Sequence, residues 1–220
     1  GKGMLFNDRK EAGILLAEAL EKYRGEDIVV FALPRGGVPL GVEIAKKLAA
    51  PLDLLITKKI GHPFNPEYAI GAITEDADPI FNPGEHGVLD QNWLEWELKR
   101  LRQEIKRRRE TYVGAANIQS LEGKTAIIVD DGIATGFTMF ASIAALKKRN
   151  PKRIIVAIPV TPEDTAKKMD QMVDAVVALE RTDDYLGAVG AYYVRFDQLD
   201  DAEVVELLRS MNVKEEKADE

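Results

Sequence analysis

The chain has 220 residues, with 30 lysines and arginines against 37 aspartates and glutamates, for a net charge of −7. Its 45% hydrophobic content at this length supports one soluble globular core, and no apolar run approaches the ~18 residues of a membrane helix. Zero cysteines exclude disulfides and thiolate metal sites, two isolated histidines (His62 and His86) cannot assemble a zinc cluster, and the acidic balance argues against general nucleic-acid binding.

In chain order, Gly1 to Gly3 ahead of Met4 read as an expression scar, and the start lacks a signal-peptide core. A first helix is expected from about Asp8 to Arg24, capped by Asn7 and ended near Gly25. The run DIVVFAL, Asp27 to Leu33, is a buried strand that breaks at Pro34, Arg35, Gly36 and Gly37 before an apolar helix to about Leu48. A strand over 52–57 follows, closed by Lys58 and Lys59. The stretch GHPFNPEYAIGAI then starts as a loop, because Pro63 and Pro66 exclude a helix before about Glu67, and it suits a lid. Leu94, Leu98, Leu101, Ile105 and Tyr112 recur at helical spacing, which predicts an amphipathic helix over about 90–113. Strands are expected at 125–130, 153–159 and 174–179. Thr161 reads as an N-cap before Pro162, Asp200 with Glu203 as another helix start, and 213–220 as a charged tail that frays. This alternation implies an α/β fold, a parallel sheet with helices on both faces. One domain should span 4–212, interrupted by an insertion at about 60–120.

The chemistry concentrates in IIVDDGIATGFTM, residues 127 to 139. An apolar strand runs into Asp130 and Asp131, and Gly132, Ala134, Thr135, Gly136, Phe137 and Thr138 lead into an apolar helix starting near Met139. Ligands of α/β sheets collect at the carboxyl ends of strands, and loop amides with a helix N-terminus favour an anion. Two hydroxyls and a backbone free of side chains suit a phosphate there. The segment resembles the phosphoribosyl pyrophosphate (PRPP) motif of the type I phosphoribosyltransferases. That resemblance implies that Asp130 and Asp131 accept hydrogen bonds from the ribose hydroxyls and help to hold a magnesium ion beside the pyrophosphate.

Pro34 to Gly37 is similar to the pyrophosphate loop of the same family. Gly36 and Gly37 would let the backbone approach an anion, Arg35 would screen its charge, and in related enzymes the peptide bond before the basic residue is often cis. Lys58 and Lys59 are candidates to neutralise the leaving pyrophosphate, against the plainer reading of a solvated strand end. A dinucleotide fingerprint is excluded, because GGVPLG has Val38 where a glycine is needed, and no GxxxxGK[ST] run exists. In the 6-oxopurine enzymes of the family an aspartate stands where this chain has Ala134, whereas adenine- and uracil-type members carry alanine. The lean is therefore away from hypoxanthine and guanine.

Two features remain open. Tyr185, Tyr192, Tyr193 and Phe196 offer either a hood for a nucleobase or ordinary core packing. Lys99, Arg100, Arg102 and Lys106 to Arg109 crowd one helix of an acidic chain, which suits substrate steering, a polyanionic partner or a solvated face relieved by i,i+4 pairs. The expected function is magnesium-assisted transfer of phosphoribose from PRPP to a nitrogen nucleophile in the cytoplasm, with no membrane partner and with a homodimer open. The alternative is a non-catalytic PRPP-binding regulator that contacts RNA or protein.

Overall fold

The computed structural model describes residues 4–218, so the expected scar at 1–3 lies outside it. Five strands form the central sheet: β1 (Ile28–Ala32), β2 (Leu52–Leu54), β6 (Thr125–Val129), β7 (Arg153–Pro162) and β8 (Ala175–Thr182). Every pairing between them is parallel, and the spatial order is β2-β1-β6-β7-β8. A second, antiparallel sheet holds β3 (Thr57–His62), β4 (Asn65–Thr74) and β5 (Ile80–Phe81).

Strands buried on both faces explain the unbroken apolar runs in the sequence. Ile28, Val30, Ala32, Ile127 and Val129 join one hydrophobic cluster, while Val29, Phe31, Leu33, Ala126 and Ile128 join another. The first cluster is closed by α1 (Arg9–Ala19), α2 (Val38–Leu48), α3 (Gln91–Thr111) and α6 (Asp201–Ala218). The second is closed by α4 (Phe137–Lys147) and α5 (Glu163–Asp170). Among the described residues no helix is long and apolar enough to cross a membrane.

Several boundaries differ from expectation for identifiable reasons. The cap of α1 is Asp8, not Asn7: its carboxylate accepts the Glu11 amide at 2.8 Å, and the helix ends at Ala19 before a separate 3-10 turn, Glu21–Tyr23. Thr161 is no N-cap, because it still belongs to β7 and its hydroxyl donates to the Pro162 carbonyl. The expected strand 52–57 divides in two. β2 stops at Leu54, and Lys58 and Lys59 lie inside β3, paired across the hairpin with Ile73 and Ala72. The expected lid is this hairpin, and it packs on α4. The helix over 90–113 is α3, capped by Asp90, which accepts the amides of Asn92 and Trp93. Asp200 and Glu203 form a reciprocal capping box at the start of α6. The expected frayed tail falls on the end of α6, helical to Ala218, and on two residues outside the described span.

One consequence of the topology positions the site. The chain leaves β1 towards β2 on one side, yet β6 enters on the other. The carboxyl ends of β1 and β6 therefore flank a switch point, where open α/β sheets form a ligand crevice.

Candidate active site

The two strands stay paired to their ends, with the Leu33 amide donating to the Val129 carbonyl at 3.0 Å. Beyond that bond each chain turns away, and the turns touch. A Cβ added at Gly36 would lie 2.1 Å from Asp131 Oδ2, well inside van der Waals contact. The loop 34–37 and the acidic pair thus lie against one another at the carboxyl ends of β1 and β6. The peptide bond between Pro34 and Arg35 is cis, as the family resemblance implies.

Asp130 Oδ1 accepts the Asp131 amide at 2.8 Å, which fixes the pair's own turn. Arg9, at the start of α1, donates from Nε to Asp131 Oδ2 at 3.1 Å and from a second nitrogen to the Asp197 carbonyl at 2.7 Å. Its guanidinium lies 4.0 Å from the centre of the Phe196 ring. The Tyr193 hydroxyl donates to the Asp131 carbonyl at 2.6 Å. Burial, and for Asp130 the charge of its neighbour, raise both carboxyls above the ordinary range despite Arg9. Burial and the nearby Asp131 charge also push the Tyr193 phenol up.

Behind the pair, Gly132 is buried, whereas Ala134 and Thr135 are exposed. Gly136 caps α4 with φ +90°, a left-handed conformation that favours glycine. The helix begins at Phe137, two residues before the expected Met139, so Phe137 and Thr138 sit in its first turn where amides lack intrahelical acceptors. A loop and helix start of this kind can receive an anion by geometry and dipole.

The remaining candidates divide. Gly37 spends its amide on the Leu33 carbonyl at 2.9 Å, so it closes the turn instead of offering that donor to the crevice. Arg35 reaches Asp201 on α6 at 3.6 Å, and Asp201 also accepts the Tyr112 hydroxyl at 2.7 Å. Burial and this bond push Tyr112 up to about 12. Lys58 pairs with Glu104 of α3 at 3.4 Å, and Lys59 is exposed. Of the aromatic group, Tyr192 and Tyr193 are buried, Tyr185 stacks on Tyr192 at 5.6 Å, and Tyr193 stacks on Phe196 at 4.9 Å. They form a packed wall beside the acidic pair, in a 3-10 turn and loop.

A match to the family model described as "Phosphoribosyl transferase domain" covers residues 7–194, which includes the acidic pair, both loops and most of the aromatic wall. The chain belongs to the phosphoribosyl transferase family. It is 40% identical over 208 residues to a Mycobacterium tuberculosis (strain CDC 1551 / Oshkosh) protein named as a phosphoribosyl transferase, and equally to the counterpart in strain H37Rv. The match covers 93% of this chain and 46% of either relative, so this phosphoribosyl transferase chain spans about half the length of the curated relatives it matches. The protein TT1426 from Thermus thermophilus superposes with a TM-score of 0.79 at 38% identity, covering 94% of this chain and 99% of that one.

Two residues packed against the acidic pair of this phosphoribosyl transferase chain carry no signal that sequence reading could use. Arg9 is a lone basic residue at a helix start, and Tyr193 draws notice only for its ring. Their shared partner Asp131 is reached only by folding.

Proposed function

We propose that this chain transfers phosphoribose from PRPP to a nitrogen nucleophile and releases pyrophosphate. The observation that carries the reading is the close approach of Gly36 to Asp131, which sets a glycine loop beside a carboxylate pair whose chain runs on into the start of α4. The 5′-phosphate would lie on the amides of 135–138, and the ribose hydroxyls would donate to Asp130 and Asp131.

The residues suit a magnesium ion delivered with the substrate. Among the described residues no group of three or more carboxylate or histidine side chains could hold a metal alone. Two adjacent carboxylates raised by burial and proximity are nevertheless the partial ligand set that magnesium shares with substrate phosphates and water. The ion would supply charge neutralisation at the departing pyrophosphate. Arg35 would screen the same anion, exchanging Asp201 for it. Gly36 keeps side-chain bulk out of the path, and Arg9 holds Asp131 towards the sugar. As the glycosidic bond lengthens, the anomeric carbon gains positive character and the acceptor nitrogen attacks from the opposite face. Positioning supplies the rate.

Ala134 carries no proton to exchange, so this reading disfavours hypoxanthine and guanine. The test is pyrophosphate release from PRPP and magnesium with hypoxanthine, guanine, adenine, uracil and orotate side by side. Titration of PRPP into the double variant Asp130→Asn, Asp131→Asn accompanies it. The expected result is release with a base other than the two 6-oxopurines and PRPP affinity weakened at least tenfold in the variant. Efficient use of guanine overturns the acceptor assignment, and unchanged affinity overturns the ribose assignment. A second reading, a PRPP-binding regulator, is favoured by one observation. Among the described residues Lys99, Lys106 and Arg107 have no carboxylate within ion-pair distance. PRPP binding without turnover on any base would select it.

A further inference from the structure

At the far end of α4 from the acidic pair, a cavity of about 210 Å³ opens between the close of β2, the close of β4 and the last turn of α4. Eleven residues of helix put roughly 16 Å between the two ends, so the cavity is separate from the crevice. Leu55, Ile56, Ala77 and Ala145, all buried, give it an apolar floor. Thr74 lines the same floor at 4% exposure, and its hydroxyl has no hydrogen-bond partner. That oxygen is closed off from the cavity, so it offers an occupant no hydrogen bond.

The charges at the mouth narrow the occupant. Glu75 is taken by Arg109 at 2.6 Å, and Lys148 by Asp78 at 3.8 Å. Asp76 and Arg149, of opposite sign, are in no ion pair among the described residues. Arg149 commits one nitrogen to the Ile118 carbonyl at 2.9 Å and keeps its other donors. The volume lies below the roughly 300–1,000 Å³ of pockets for drug-sized ligands, which excludes a nucleotide. An apolar floor and one unpaired charge of each sign fit a small zwitterion with an apolar side chain.

We propose that this cavity binds a free α-amino acid with a small aliphatic side chain. Its carboxylate faces Arg149, its ammonium faces Asp76, and its side chain covers Leu55, Ile56 and Ala77. Thr74 pairs with Thr57 at the root of the β3-β4 hairpin, and Glu75 anchors Arg109. An occupant therefore bears on the hairpin that carries Lys58, which makes the site regulatory in position.

The experiment titrates each proteinogenic L-amino acid, up to about 10 mM, into the full chain by calorimetry and thermal melting. Acetate and methylamine serve as half-ligand probes, and Arg149→Gln and Asp76→Asn as variants. The expected result is saturable binding of an aliphatic amino acid, with both half-ligands and both variants at least tenfold weaker. Absence of binding by every amino acid overturns the proposal. Acetate binding as tightly as the amino acid, or affinity unchanged in Asp76→Asn, overturns it too. Asp76 is exposed, so its variant decides the matter even if Arg149→Gln fails to fold.

Discussion

A methyl group at Gly36 would have to displace the Asp131 carboxylate, since its carbon would sit 2.1 Å from Oδ2 and 2.7 Å from Cγ. Gly36→Ala should therefore keep the fold, because Gly36 is only half-buried, while PRPP affinity falls at least tenfold. Calorimetric titration beside a thermal melt separates the two effects. Asp130 supplies a pH dependence whose sign can be worked out. Its carboxyl is raised in the folded state, so between the ordinary carboxylate range and that raised value the folded chain binds more protons than the unfolded one. Stability is fully present at acid pH and is lost as pH rises through the folded pKa. In Asp130→Asn this loss should shrink, so the variant's melting temperature should gain on the wild type from pH 4 towards neutral. Parallel melting curves across that range would contradict the assignment.

At the scale of elements, Arg109 fastens α3 to both sheets. It donates to Glu75 beyond β4 at 2.6 Å, to Asp53 of β2 at 3.2 Å and to the Leu54 carbonyl at 2.7 Å. Asp53 is 1% exposed and otherwise accepts the Leu54 and Ile118 amides. Removing one partner of a buried ion pair costs about 3–5 kcal/mol, because the other charge is left without its counterion. Arg109→Met should fall at the lower end, since Asp53 retains two amide donors. Urea denaturation would show it as a lower midpoint with unchanged slope. Arg109 belongs to the basic run that sequence reading leaves to steering, a partner or solvent. The run in fact divides by helix face. Arg109 turns inward, Arg100 bonds Glu97 and Glu104, Arg102 reaches the Ala77 carbonyl, and only part of the row is left for a partner.

Across the whole molecule, the proposed PRPP site draws on segments remote in the chain: Arg9, 34–37, 130–138 and Tyr193. A ligand that binds only this assembly must stabilise the entire fold. PRPP with magnesium at a hundredfold excess over its dissociation constant should add about 2.7 kcal/mol, read as a raised melting temperature. Chelating the metal should abolish most of the shift if the acidic pair holds PRPP through it. A shift unchanged by chelation would remove the metal from the assignment.

How much of this was legible beforehand follows from the range of the interactions. Alternation of strands and helices, the glycine loop at 34–37, the acidic pair with its anion loop and the amphipathic α3 all rest on neighbours within a few residues, where backbone sterics, capping and periodicity act. The sequence alone therefore determined the fold class and singled out the two loops proposed to hold PRPP. Which way Arg35 and Arg109 point, that β2 ends at Leu54 so that Lys58 falls in a hairpin, and that Arg9 and Tyr193 brace Asp131 were decided only in three dimensions. Each depends on partners tens of residues away, brought near by the burial of two apolar sheet faces, and no local pattern encodes such a meeting.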